Sequence, residues 1–145
     1  MIQRVAVVGA GTMGLGIAQL CAQSGFSVKV HDALPAALTA LPARLKKSFD
    51  TAVLKGKLST QQAERAYHSI SAVADINELA GADLVIEAAP ENLALKRDLF
   101  EKLSAICPDG LLATNTSSLS VAEIMKKAQS PERTLGVHFL TLPSR

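Results

Sequence analysis

Val5-Ala6-Val7-Val8-Gly9-Ala10-Gly11-Thr12-Met13-Gly14 decides the fold of this chain. An apolar run enters a Gly-x-Gly-x-x-Gly turn, and Leu15-Gly16-Ile17-Ala18-Gln19-Leu20 leaves it with helical periodicity. A second apolar stretch, Ser27-Val28-Lys29-Val30-His31, ends in Asp32, 23 residues after Gly9. Strand, glycine turn, helix, strand, acid is the order of a dinucleotide-binding βαβ unit. Gly9 permits the tight turn, Gly11 lets the backbone approach a pyrophosphate, and Gly14 lets helix and strand pack closely. Thr12 and Met13 open the helix, whose N-terminal N–H groups suit phosphate oxygens. Asp32 would accept the adenosine ribose hydroxyls, and its charge would repel a 2′-phosphate, so the cofactor expected is NAD.

The rest of the chain repeats the alternation. Strands are expected at Arg4 to Val8, Ser27 to His31, Ile70 to Val73, Leu84 to Ala88, Leu111 to Thr114 and Thr134 to Phe139. Helices are expected at Thr12 to Ser24, Pro35 to Gly56, from Ser59 onward, Asn92 to Ile106, and from Ser120 to near Lys127. Pro42 predicts a kink or a late start in the second helix. Ser59 with Gln62, and Ser120 with Glu123, have capping-box spacing. Leu93, Leu95, Phe100 and Leu103 are assigned to the inward face of their helix. The fold class is therefore α/β: a Rossmann-type, doubly wound, mainly parallel sheet with helices on both faces.

Composition narrows the function. With 145 residues, 48% hydrophobic and 19% charged, the chain can bury one core and is not a disordered polyelectrolyte. A net charge of +2, no Trp and 3% aromatics speak against a nucleic-acid surface. No apolar run reaches membrane-spanning length, and no leader is expected before the first strand. Cys21 and Cys107 lack metal or redox spacing, which predicts free thiols, a core role for Cys21 and a cytoplasmic location. His31 and His68 belong to no motif and read as structural or surface residues.

Three more segments carry a family likeness: Asp83-Leu84-Val85-Ile86-Glu87-Ala88-Ala89-Pro90-Glu91-Asn92-Leu93, Asn115-Thr116-Ser117-Ser118-Leu119-Ser120, and Pro131-Glu132-Arg133 leading to Gly136-Val137-His138-Phe139. With the glycine turn, they resemble the NAD-binding domain of the L-3-hydroxyacyl-CoA dehydrogenases, including the 3-hydroxybutyryl-CoA and 3-hydroxyadipyl-CoA enzymes. The resemblance implies NAD as cofactor and an acyl-CoA thioester as substrate, whose 3-hydroxyl is oxidised. It implies that Gly9, Gly11, Thr12, Met13, Gly14 and Asp32 hold the adenosine and pyrophosphate. It places Glu91 and Lys96 near the nicotinamide, Asn115 and Ser117 against nicotinamide and substrate, and Ser48 and Lys55 against coenzyme A. His138 matches the catalytic histidine, with Ser117 orienting the substrate oxygen. A histidine titrating near neutrality suits removal of the hydroxyl proton.

Plainer roles exist for the same residues. His138 could be a hydrogen-bonded strand-end histidine, Ser117 a capping residue, and Ser48 with Lys55 a solvated helix face.

The resemblance stops near the end of the chain. The family continues the histidine as His-Phe-Phe-Asn-Pro, whereas this sequence reads His138-Phe139-Leu140-Thr141-Leu142-Pro143-Ser144-Arg145. Residues 1–139 are therefore expected to form the nucleotide-binding domain and 140–145 an atypical tail. In one codon choice, a thymine added to the run formed by the Phe139 and Leu140 codons restores the family motif, which predicts a frameshifted or truncated product; an appended unrelated tail is the alternative. A gene without that run would remove the frameshift reading. The resemblance places the family's histidine-orienting glutamate, its substrate-binding asparagine and its helical dimerisation domain beyond residue 145, so they are expected to be lacking in this chain. Little turnover by the chain alone is expected, together with self-association through apolar surface the missing domain would cover. Three functions stay open: a 3-hydroxyacyl-CoA dehydrogenase, an NAD-binding module or remnant without turnover, and a non-thioester hydroxy-acid dehydrogenase of the same superfamily.

Overall fold

A computed structural model describes residues 1–116 and 118–137. Six strands form one sheet: β1 (Arg4–Val8), β2 (Ser27–His31), β3 (Ile70–Val73), β4 (Leu84–Glu87), β5 (Leu111–Asn115) and β6 (Thr134–Val137). Their spatial order is β3-β2-β1-β4-β5-β6, and every neighbouring pair is parallel. The order reverses between β1 and β4. That switch point opens a crevice at the carboxyl ends of the strands, where ligands of such sheets bind. The register aligns Val7 with Val30 on one side and Ile86 on the other.

Helices cover both faces. α1 (Thr12–Gln23), α2 (Pro35–Leu54) and α3 (Thr60–His68) pack over one face through Ile17, Ala18, Leu41, Leu45, Phe49, Ala63 and Ala66, against Val5, Val7, Val28 and Val30. α4 (Leu93–Ile106) and α5 (Val121–Ile124) cover the other, with Phe100, Leu103 and Ile124 against Ala6, Val8, Val85 and Leu112. β1 is buried on both faces, as a central parallel strand must be.

Five local expectations need correction or refinement. α2 does not start late at Pro42: it runs unbroken from Pro35, one backbone bond short. The buried stripe Leu41, Leu45 and Phe49 anchors the helix beyond the proline, which outweighs the lost bond. Leu95 is 39% exposed, and Lys96 takes the inward position, because a period of 3.6 carries the stripe from Leu93 through Lys96 to Phe100 and Leu103. The helix after Ser120 spans only Val121–Ile124 and tightens into a 3-10 turn, Met125–Lys127. Ser120 accepts from the Glu123 N–H, but the Glu123 carboxylate pairs with Arg97 instead of closing a capping box. Ser59 and Gln62 do form a complete one. Cys21 is only half-buried at the core's edge, whereas Cys107 is buried; both thiols are free, and burial raises both pKa values.

Candidate functional site at the strand carboxyl ends

The glycine turn is shaped by close contacts that only glycine allows. Gly9 has φ 112°, and a Cβ there would sit 2.6 Å from the Ala88 carbonyl oxygen. A Cβ on Gly14 would lie 1.7 Å from the Gly9 carbonyl oxygen, so helix α1 and the turn are in direct backbone contact. Gly11 differs. It has ordinary backbone angles, and a Cβ there would meet no protein atom within 4 Å. Its open side faces no part of the chain, as a phosphate approach requires. Gly11 gives α1 no side-chain cap, and no acid lies in the first turn, so Thr12, Met13 and Gly14 begin a helix end suited to an anion. These features fit a bound dinucleotide.

Hydrogen bonds hold the turn in place. The Gly9 N–H donates to the His31 carbonyl at 2.8 Å. The Ala10 N–H donates to Asp32 Oδ2 at 2.8 Å, and the Leu34 N–H to Asp32 Oδ1 at 2.8 Å. Asp32 is half-buried at the end of β2, the position of a ribose-binding acid. Arg44, on α2, donates to the Ala10 carbonyl at 2.8 Å and adds a half-buried cation beside the turn. Sequence reasoning missed Arg44, which belongs to none of the motifs.

A second constellation lies beyond the switch point. Lys96 and Glu87 are fully buried, with Nζ 2.7 Å from Glu87 Oε2. Glu87 also accepts from the Ala89 N–H at 2.6 Å and the Thr114 hydroxyl at 2.6 Å. Lys96 Nζ donates to the Ala89 carbonyl at 3.3 Å and lies 3.1 Å from Glu91 Oε1. Glu91 accepts from the Thr116 and Ser118 hydroxyls, both at 2.8 Å. Burial pushes the Glu91 pKa up, but those two hydroxyls and the Lys96 ammonium outweigh it, leaving about 2. The network ties β4, the loop after it, α4, β5 and the residues flanking 117 into one unit. Glu87 is its centre, and the sequence reading passed over it inside an apolar strand. A charged residue closing a continuous apolar run was the available signal.

The remaining nominated residues are scattered. Asn115 ends β5 and pairs in register with Val137, the residue before His138. Ser117 and His138 lie outside the described residues. On α2, the Ser48 hydroxyl donates to Gln19 Oε1 of α1, while Lys55 caps the helix end in solvent. They sit two helical turns apart, about 10 Å along the axis. No described hydrogen bond joins them to the glycine turn or to the Glu87 network. A cleft of about 580 Å³ between α2 and α3, lined by Phe49, Val53, Ala63, Tyr67 and His68, touches none of the nominated residues. His31 is buried with Nδ1 3.1 Å from the Val73 carbonyl oxygen, and His68 is exposed against Tyr67.

The family model of the 3-hydroxyacyl-CoA dehydrogenase NAD binding domain matches residues 4–144. The chain belongs to this family. It is 44% identical over 139 residues to the 3-hydroxyadipyl-CoA dehydrogenase of Escherichia coli K12, covering 95% of this chain and 29% of that protein. It is 41% identical over 140 residues to a 3-hydroxybutyryl-CoA dehydrogenase of Mycobacterium tuberculosis, covering 95% of this chain and 49% of the relative. The crystal structure of an Escherichia coli K12 3-hydroxybutyryl-CoA dehydrogenase superposes with a TM-score of 0.91 at 44% identity, over 96% of this chain and 30% of that one. The chain thus spans about half or less of these relatives. Its fold class and its cofactor, NAD, are those of the 3-hydroxyacyl-CoA dehydrogenases, as the glycine turn and Asp32 led us to expect. No helix among the described residues is long and apolar enough to cross a membrane.

Proposed function

We propose that this chain is the NAD-holding part of an enzyme that oxidises the 3-hydroxyl of an L-3-hydroxyacyl-CoA, with little turnover of its own. The observation that carries the reading is the glycine turn: Gly9 and Gly14 are held by backbone contact, while a Cβ on Gly11 would meet nothing within 4 Å. Thr12, Met13 and Gly14 N–H groups would bind the pyrophosphate, and Asp32 the adenosine ribose. When bound, NAD supplies the hydride acceptor. Glu91 and Lys96 would border the nicotinamide, and Asn115 and Ser117 the reacting carbon and its oxygen. His138 would take the hydroxyl proton as the hydride departs. Ser48 and Lys55 would meet coenzyme A, Lys55 as a solvated charge toward a phosphate.

Further parts of the reading are a boundary near residue 139, a cytoplasmic location suited to two free thiols, and self-association through exposed leucines such as Leu20 and Leu135. Light scattering tests the self-association.

Calorimetric titration of NAD into the 145-residue chain, followed by acetoacetyl-CoA reduction with NADH, tests the main proposal. Binding with little turnover is expected. Absence of NAD binding overturns the reading, and efficient turnover overturns its last clause.

A further inference from the structure

The charges beyond the switch point do not cancel. The pyrophosphate belongs over the α1 N-terminus, and Asp32 draws the adenosine toward β2, so the other half of the dinucleotide extends over β4 and β5. The side chains gathered there include two carboxylates and one ammonium: Glu87, Glu91 and Lys96. Glu87 and Lys96 are fully buried at 2.7 Å and neutralise each other. Glu91, 3.1 Å from the same ammonium, keeps 39% of its side chain exposed and is the member that reaches solvent. Two hydroxyls and the ammonium keep it ionised throughout the neutral range, so the group carries one net negative charge.

A nicotinamide ring is positively charged when oxidised and neutral when reduced. A fixed negative charge beside it lowers the free energy of the first form and leaves the second nearly untouched. We propose that the uncompensated Glu91 charge biases this site toward NAD+ over NADH, and that Glu87 sets the bias by cancelling Lys96. The inference rests on the NAD reading above. It assigns Glu87 a role in positioning and charge although it sits behind the ligand: without it, Lys96 would cancel Glu91 and the bias would vanish. The consequence is a shift of relative affinity toward the oxidised cofactor.

The test is the ratio of two dissociation constants, for NAD+ and NADH, measured separately on the full 145-residue chain at one pH and ionic strength. Glu91→Gln keeps the shape and the accepting oxygen but removes the charge. The ratio Kd(NADH)/Kd(NAD+) is expected to fall roughly three- to tenfold, the scale of one unit charge at several ångströms with partial screening. Glu87→Gln is expected to move the ratio in the same direction. A merely structural role for Glu87 would weaken both nucleotides alike and leave the ratio unchanged. Should Glu87→Gln fail to fold, Glu91→Gln at its part-exposed position decides alone. An unchanged ratio in Glu91→Gln, with both nucleotides still bound, overturns the proposal. Failure of the parent chain to bind either nucleotide overturns the NAD reading, and the inference with it.

Discussion

Replacing Gly11 by alanine separates what the fold needs from what the ligand needs. The backbone there has φ −76°, which alanine adopts freely, and the new methyl would meet no protein atom within 4 Å. Restricting the unfolded chain gains about 0.4–1 kcal/mol. Losing glycine at the N-cap costs about 0.5–1 kcal/mol. The two nearly cancel, so Tm should shift by no more than about 2 °C. Binding is another matter. A methyl beside the helix N-terminus holds a phosphate oxygen roughly 1 Å beyond hydrogen-bond reach. One lost hydrogen bond to a charged group is worth about 1.5–3 kcal/mol. NAD affinity should therefore fall at least tenfold, and near a hundredfold at the upper end. Thermal unfolding and calorimetric NAD titration of Gly11→Ala read the two effects independently. Wild-type affinity in a stable variant would show that the pyrophosphate does not pass Gly11. A Tm loss above about 5 °C would expose a clash the structure does not contain.

Three further outcomes are expected. Gly14→Ala places a Cβ 1.7 Å from the Gly9 carbonyl oxygen, so the chain should lose about 1–3 kcal/mol or more together with NAD binding; an unchanged urea midpoint would contradict the helix–turn contact. Lys96→Met leaves Glu87 buried without its cation and should cost about 3–5 kcal/mol, readable as a Tm drop of order 10 °C; a loss under about 1 kcal/mol would mean that the pair is not buried as described. Glu91 is depressed from 4.5 to about 2 on folding, so its contribution is complete above pH 4.5 and disappears as pH falls toward 2. Glu91→Gln should flatten that acid limb in urea unfolding between about pH 2 and 6, and identical limbs would refute the assignment.

The sheet was legible in the sequence because parallel strands are written as short, continuous apolar runs. Arg4–Val8, Ser27–His31 and Ile70–Val73 have the bounds that their residue patterns imply. So was the glycine turn with Asp32 beside it, since a glycine-rich turn and an acid announce themselves locally. The Glu87 network was not. Its members come from β4, α4, β5 and the loops after both strands, and only the three-dimensional sheet brings Thr114 beside Glu87. Leu95 misled for a related reason: side-chain type named it as core, while helical phase gave the buried place to a lysine. The late start considered at Pro42 is absent, because the buried stripe beyond the proline overrides the local backbone penalty.

The two bonds that Asp32 accepts from the Ala10 and Leu34 N–H groups constrain how cofactor preference can evolve. In a lineage drifting toward NADP, the first step would be to lose this acid. Here the acid is also a brace, and losing it frees two N–H groups and slackens the glycine turn. A single substitution would then weaken both dinucleotides before favouring either. A change of preference would need a second residue to take over the brace. Asp32→Asn is the gentlest first step, because the amide keeps one accepting oxygen while giving up the charge. With Asp32 in the proposed ribose role, the path would be a valley rather than a slope, because one carboxylate would serve both tasks.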